Sequence, residues 1–239
     1  SEKEELKRLL DKLLKELKRL SDELKATIDK ILKILKEVSE EVKRTADELL
    51  DAIRRGGVDE EVLREIKREI EEIEKKLRKV NKEIEDEIRE IKKKLDEVDD
   101  KITKEVEKIK EALDKGGVDA KEVIKALKEI LKEHADVFED VLRRLKEIIK
   151  RHRDVVKEVL EELRKILEKV AEVLKRQGRS EDELRKVEED LKRLEDKLKK
   201  LLEDYEKKVR ELEETLDDLL RKYEETLRRL EKELEEAER

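Results

Sequence analysis

The sequence predicts an all-α protein, an antiparallel up-down-up-down four-helix bundle. Three observations carry that expectation. The apolar residues recur at helical period through almost the whole chain. The five glycines fall at only three places, Gly56-Gly57, Gly116-Gly117 and Gly178. There is no proline to interrupt the segments between them. Charged residues make up 57% of the 239 positions and aromatics 1%, a balance that elsewhere signals disorder. Here the apolar third is periodic, so the charge is the solvated side of amphipathic helices.

The glycines divide the chain into predicted helices at about 2–55, 59–115, 119–177 and 181–238. Each boundary carries start and stop chemistry. Glycine ends a helix in the left-handed conformation without a steric penalty. The repeated "GGVD" then offers Asp59 or Asp119 as an N-cap, with Val58 placed to staple onto Leu63 and Val118 onto Val123. "SEKE" from Ser1 and "SEDE" from Ser180 read as capping boxes. Helices of this length would span about 80 Å at 1.5 Å per residue. Turns this short make neighbours antiparallel.

Each helix also repeats itself at a spacing of 18 residues. "SDELKATID" from Ser21 returns as "SEEVKRTAD" from Ser39, and "IEKKLRKVNKEI" from Ile73 as "IKKKLDEVDDKI" from Ile91. Leu127, Ile130 and His134 return as Leu145, Ile148 and His152, and Leu201 and Tyr205 as Leu219 and Tyr223. Eighteen residues make five whole turns, so a seam with this period needs no supercoil. Nearly straight helices are expected.

The chain has two histidines, both where the apolar stripe calls for Leu or Ile. Reflecting the sequence about its turns sets His152 level with Asn81 and Tyr205, and His134 level with Asp99 and Tyr223. Asn81 is the only asparagine and the two tyrosines the only ones present. A buried imidazole needs a partner for each nitrogen, and a buried phenol one for its hydroxyl. Two buried hydrogen-bond layers follow, about 27 Å apart by helix rise. The first helix offers Ser21, Thr27, Ser39 and Thr45 as inward-capable members. Its residues level with the layers are Leu14 and Leu32, and Thr27 is the nearest hydroxyl by index. These hydroxyls could instead bond their own helix backbone.

Other chemistries find less support. Histidines five turns apart cannot share a metal, and the Glu-x-x-His pattern of di-iron bundles is absent, since Leu131 and Ile149 stand where it needs Glu. The bulky neighbours Leu131, Phe138, Ile149 and Val156 leave no room for a haem. Ser21 and Ser39 sit mid-helix, away from any oxyanion site, so no catalytic residue is expected and the protein reads as a non-enzyme. No cofactor or metal is expected. The net charge of −7 is interspersed in sign, with neither a basic face nor stacking aromatics for nucleic acid. No apolar run approaches the ~20 residues of a membrane span, and no targeting signal is evident.

Taken together, the 18-residue repeat, "GGVD" used twice, "GRSEDE" and a Glu/Lys/Arg surface without Pro, Met, Cys or Trp resemble de novo designed helical bundles with buried hydrogen-bond networks. That resemblance implies a soluble synthetic scaffold with no natural biochemical activity and no required partner. Its alternative is a designed binding or self-assembly module. The predicted third helix has the widest stripe, with Ala126, Val137, Val155, Val159 and Val173 beside the Leu/Ile seam. Either it packs more deeply, or it presents a face for a homo-oligomer. A ligand-binding or metal-binding bundle is a further alternative.

Overall fold

A computed structural model describes residues 1–239 as four α-helices and no strand. They are α1 (Glu2–Arg55), α2 (Glu60–Asp114), α3 (Ala120–Arg176) and α4 (Glu181–Glu238). The boundaries agree with the predicted ones to within one capping residue.

The turns explain those ends. Asp119 caps α3, its Oδ1 accepting from the Glu122 N–H at 2.8 Å. Ser1 and Ser180 accept from Glu4 and Glu183 at 3.4 Å, a looser version of the same contact. Asp59 contributes its backbone carbonyl, which accepts from Leu63 N–H at 2.9 Å. Only the first glycine of the second pair is left-handed: Gly116 has φ 70°, whereas Gly117 does not. Gly116→Ala should therefore cost about 1–2 kcal/mol through backbone strain alone, since open space surrounds the missing Cβ. Gly117→Ala meets only an ordinary contact with the Ala112 carbonyl and should be neutral or stabilise by up to about 1 kcal/mol. Equal effects on guanidinium unfolding would contradict this division of roles.

The helices group into two compact units. Unit 1 is Ser1–Ile31, Asp86–Glu147 and Glu213–Arg239; unit 2 is Leu32–Glu85 and Ile148–Leu212. Each contains part of every helix. Unit 1 has a core of leucines from α1 (Leu10, Leu13, Leu17, Leu20), with Ile91, Ile102, Leu127 and Leu216 from the others, all nearly inaccessible. Unit 2 is built likewise from Leu49, Ile66, Ile84, Leu163, Val170 and Val209. No large apolar side chain is exposed. Burial of these faces stabilises by about 1.5–3 kcal/mol per large side chain before chain entropy is subtracted.

Ion pairs across the seams reveal which helices adjoin. In unit 1, Asp29 of α1 meets Lys92 of α2, Glu133 of α3 meets Lys101 of α2, Lys146 of α3 meets Asp217 of α4, and Lys222 of α4 meets Glu23 of α1. Unit 2 repeats the order with Lys36–Glu85, Lys76–Glu158, Lys157–Glu206 and Lys197–Glu48. Within each unit the helices thus run α1-α2-α3-α4 around the core, and α1 lies diagonally opposite α3. Exposed pairs of this kind contribute only about 0–1 kcal/mol each, so their value lies in favouring one arrangement of neighbours.

The extra small residues of α3 do not form a bare face. Val159 is buried, while Ala126, Val137, Val155 and Val173 are half-buried along the seams.

Candidate functional site

The diagonal placement of α3 against α1 decides what each histidine meets. In unit 1 the His134 ring crosses the core to α1. Its Nε2 lies 2.8 Å from Ser21 Oγ, and its Nδ1 lies 2.6 Å from the Tyr223 hydroxyl on α4. Ser21 Oγ donates to Asp99 Oδ1 on α2 at 2.9 Å. In unit 2 the His152 Nε2 lies 2.9 Å from Ser39 Oγ, and its Nδ1 lies 2.5 Å from the Tyr205 hydroxyl. Ser39 Oγ donates to Asn81 Oδ1 at 3.1 Å. Every member of one layer is 18 residues from its counterpart in the other.

Donor counting orients both chains of bonds. A serine that spends its one proton on a carboxylate or carboxamide oxygen can only accept from Nε2–H. That leaves Nδ1 as the acceptor of the tyrosine O–H. Each layer therefore runs tyrosine to histidine to serine to Asp or Asn, around a neutral imidazole, with one proton per bond. Both histidines and Ser21 are completely buried, and Tyr205, Tyr223 and Ser39 nearly so. Burial also pushes both phenols well above their ordinary range, so they remain donors at any ordinary pH.

The expected grouping of His134 with Tyr223 and Asp99, and of His152 with Tyr205 and Asn81, is what the coordinates contain. Helix α1 differs from expectation. Thr27 and Thr45 stand outside the layers: each hydroxyl donates to the carbonyl one turn earlier in its own helix, Glu23 at 3.0 Å and Glu41 at 2.9 Å. Ser21 and Ser39 take the places instead, about two turns from Leu14 and Leu32, where reflection about the glycines put the levels. The same stagger recurs in the Lys25–Asp96 and Lys36–Glu85 pairs, so it belongs to the α1–α2 packing and the turn between them. A physical reason favours serine there. The imidazole reaches across the middle of the core, and a Leu opposite it would collide. The signal was present in the sequence, since Ser21 and Ser39 share the spacing of the histidines.

Sequence reasoning also missed two contacts. Phe138 stacks on Tyr223 with ring centroids 3.9 Å apart and planes 7° apart, and lies 6.0 Å from the His134 ring. Arg179, after α3, turns its guanidinium onto the Gly56 and Gly57 carbonyls, satisfying acceptors at the end of α1.

The layers have the components of a hydrolytic triad in the wrong order. In a triad the imidazole lies between serine and carboxylate. Here serine lies between imidazole and carboxylate, and its proton points away from the ring. No group of three or more His, Cys, Asp or Glu side chains is arranged to hold a metal ion. No helix is long and apolar enough to cross a membrane.

Ser21→Ala should cost about 1–3 kcal/mol, because the Nε2–H of His134 loses its acceptor in a dry interior. Thr27→Ala removes only a bond to the helix's own carbonyl and should stay within about 0.5 kcal/mol. Comparable losses in chemical denaturation would show that Thr27 supports the layer after all.

Comparison with known proteins decides the origin of the chain. The family model described as Protein BPS1 matches residues 3–233. The chain belongs to the BPS1 family. No curated protein and no solved structure matches it. Membership in BPS1 corrects the resemblance to de novo designed bundles, and with it the reading of a synthetic scaffold or designed assembly module without biological activity. The features behind that resemblance are demands of physics on any long-helix bundle. A helical stripe must repeat in whole turns to stay in register. A Glu/Lys/Arg surface gives high helix propensity and solubility, and paired glycines end helices. A BPS1 chain can meet those demands as well as a designed one.

Proposed function

We propose that this BPS1-family chain has a structural, non-enzymatic role, carried by packed four-helix units rather than by a reaction site. One observation supports this most directly. Its two imidazoles and the serines bonded to them are sealed from solvent, and both nitrogens of each ring are engaged by other helices. A nucleophile or base needs access to substrate and a spare lone pair or proton, and these groups have neither. What the layers provide is pairing information. Sliding a helix by a few residues would set a phenol, hydroxyl or imidazole against Leu, and each orphaned group would cost about 1–3 kcal/mol. The charged exterior without large apolar side chains gives no sign that a second copy is needed to complete the core.

The reading is tested by chemical access. The folded protein is treated with a serine-directed fluorophosphonate and, separately, with diethyl pyrocarbonate, and modified sites are read by mass spectrometry. Ser21, Ser39, His134 and His152 should stay unmodified until denaturant is added. Rapid, stoichiometric labelling of a serine or histidine in the native state would overturn the structural role.

A further inference from the structure

We infer that unit 2 is an acid-released element: protonation of His152 loosens residues 32–85 and 148–212 while unit 1 stays closed. The basis is a single chemical difference between otherwise matched layers. In unit 1 the fourth member is Asp99, whose Oδ1 lies 3.5 Å from His134 Nε2. A proton gained by that ring would face a carboxylate. In unit 2 the same place is taken by Asn81, a neutral carboxamide.

Protonation has a second consequence in unit 2. It turns Nδ1 of His152 into a donor facing the Tyr205 hydroxyl, which then must accept and find another place for its own proton. The charged groups on the helices around this ring are committed elsewhere. Lys36 of α1 pairs with Glu85 of α2, Glu83 of α2 with Arg151 of α3, and Glu206 of α4 with Arg153 and Lys157 of α3. In unit 1 the corresponding surroundings are Asp99 with Lys25 at 3.7 Å from its other oxygen, and Asp136 and Glu139 toward Tyr223.

Burial holds the His152 ring down to about 4, with the Leu35 carbonyl acting weakly the other way. The folded value lies below the unfolded value of 6.5, so the opened state takes the proton first. The stabilisation is complete above the unfolded value, falls as pH drops from 6.5 toward 4, and levels off below. At pH 4.5 the shift corresponds to about an 80-fold gain in the opened population. Glu74 of α2, raised first by burial and then by Asp47 of α1, works in the opposite sense, because its protonation relieves a carboxylate pair. It would blunt the effect, so variants of the layer itself carry the test.

Amide hydrogen exchange on the whole protein, corrected for intrinsic chemistry, is followed from pH 7 to 4.5. Amides around Ser39, Asn81, His152 and Tyr205 should lose protection tens-fold, and those around Ser21, Asp99, His134 and Tyr223 far less. Asn81→Asp should flatten the response of unit 2, and Asp99→Asn should confer it on unit 1. Equal loss in both units, or a unit 2 response unchanged in Asn81→Asp, would overturn the inference. The His152 ring resonance of the unaltered protein gives a reading independent of any variant. Titration near 4 is expected, and titration near 6.5 would overturn the inference.

Discussion

Phe138→Ala is expected to be the most damaging single truncation in unit 1, costing about 3–5 kcal/mol. Phe138 is fully buried and is the one phenylalanine of the chain. Its removal leaves a void where helices cannot close in without breaking the layer beside it. It also removes a stack with Tyr223, worth about 0.5–1.5 kcal/mol beyond area burial, and frees that ring to tilt away from His134. Phe138→Leu, which fills much of the volume without the stack, should cost clearly less. Equilibrium guanidinium unfolding followed by helical circular dichroism measures both. A Phe138→Ala cost under about 1 kcal/mol would mean that the ring is not the wedge described here. The position 18 residues on is Val156, also fully buried. Unit 2 therefore has no matching aromatic stack, and Val156→Ala should be the milder change.

Such residues also show what could be read from the chain beforehand. Helices, their ends and their antiparallel order were legible, because Gly pairs, caps and apolar period are local and each points to the same boundary. Three members of each layer were legible because rarity and the 18-residue spacing coincide in His134, Tyr223 and Asp99, and in His152, Tyr205 and Asn81. The fourth member was not. Choosing between Ser21 and Thr27 requires the stagger of α1 against α2, which depends on how the residues of one turn pack. A Thr in mid-helix also has an alternative acceptor in its own backbone. The Phe138–Tyr223 stack was illegible for a related reason: Phe138 looked like one more core residue until the heights of two helices were fixed. Family membership was illegible in another way. Composition and period report what a bundle must be, and they are silent on where it comes from.

The second large effect comes from comparing one substitution with four. His134→Leu alone should destabilise by about 2–4 kcal/mol, since it strands the Tyr223 hydroxyl and removes the partner of Ser21 in a water-free core. Replacing the whole layer at once, with Ser21→Ala, Asp99→Val, His134→Leu and Tyr223→Phe, orphans nothing. It should recover most of that loss, and a net gain of about 1–4 kcal/mol is within the range seen when buried polar groups give way to apolar ones. A fourfold variant no better than the single one would show that the bonds contribute net stability, beyond avoiding unsatisfied groups. If the layers chiefly specify pairing, their loss should appear as loss of uniqueness. With both layers made apolar, α1 to α4 present Leu- and Val-rich stripes that match at more than one stagger, and no orphaned group penalises the wrong one. The expected result is a protein at least as resistant to guanidinium as the original but with broadened amide resonances and mixed oligomers in light scattering. Retention of a single sharp spectrum and a single mass would show instead that side-chain packing and the interhelical ion pairs are enough to set the register.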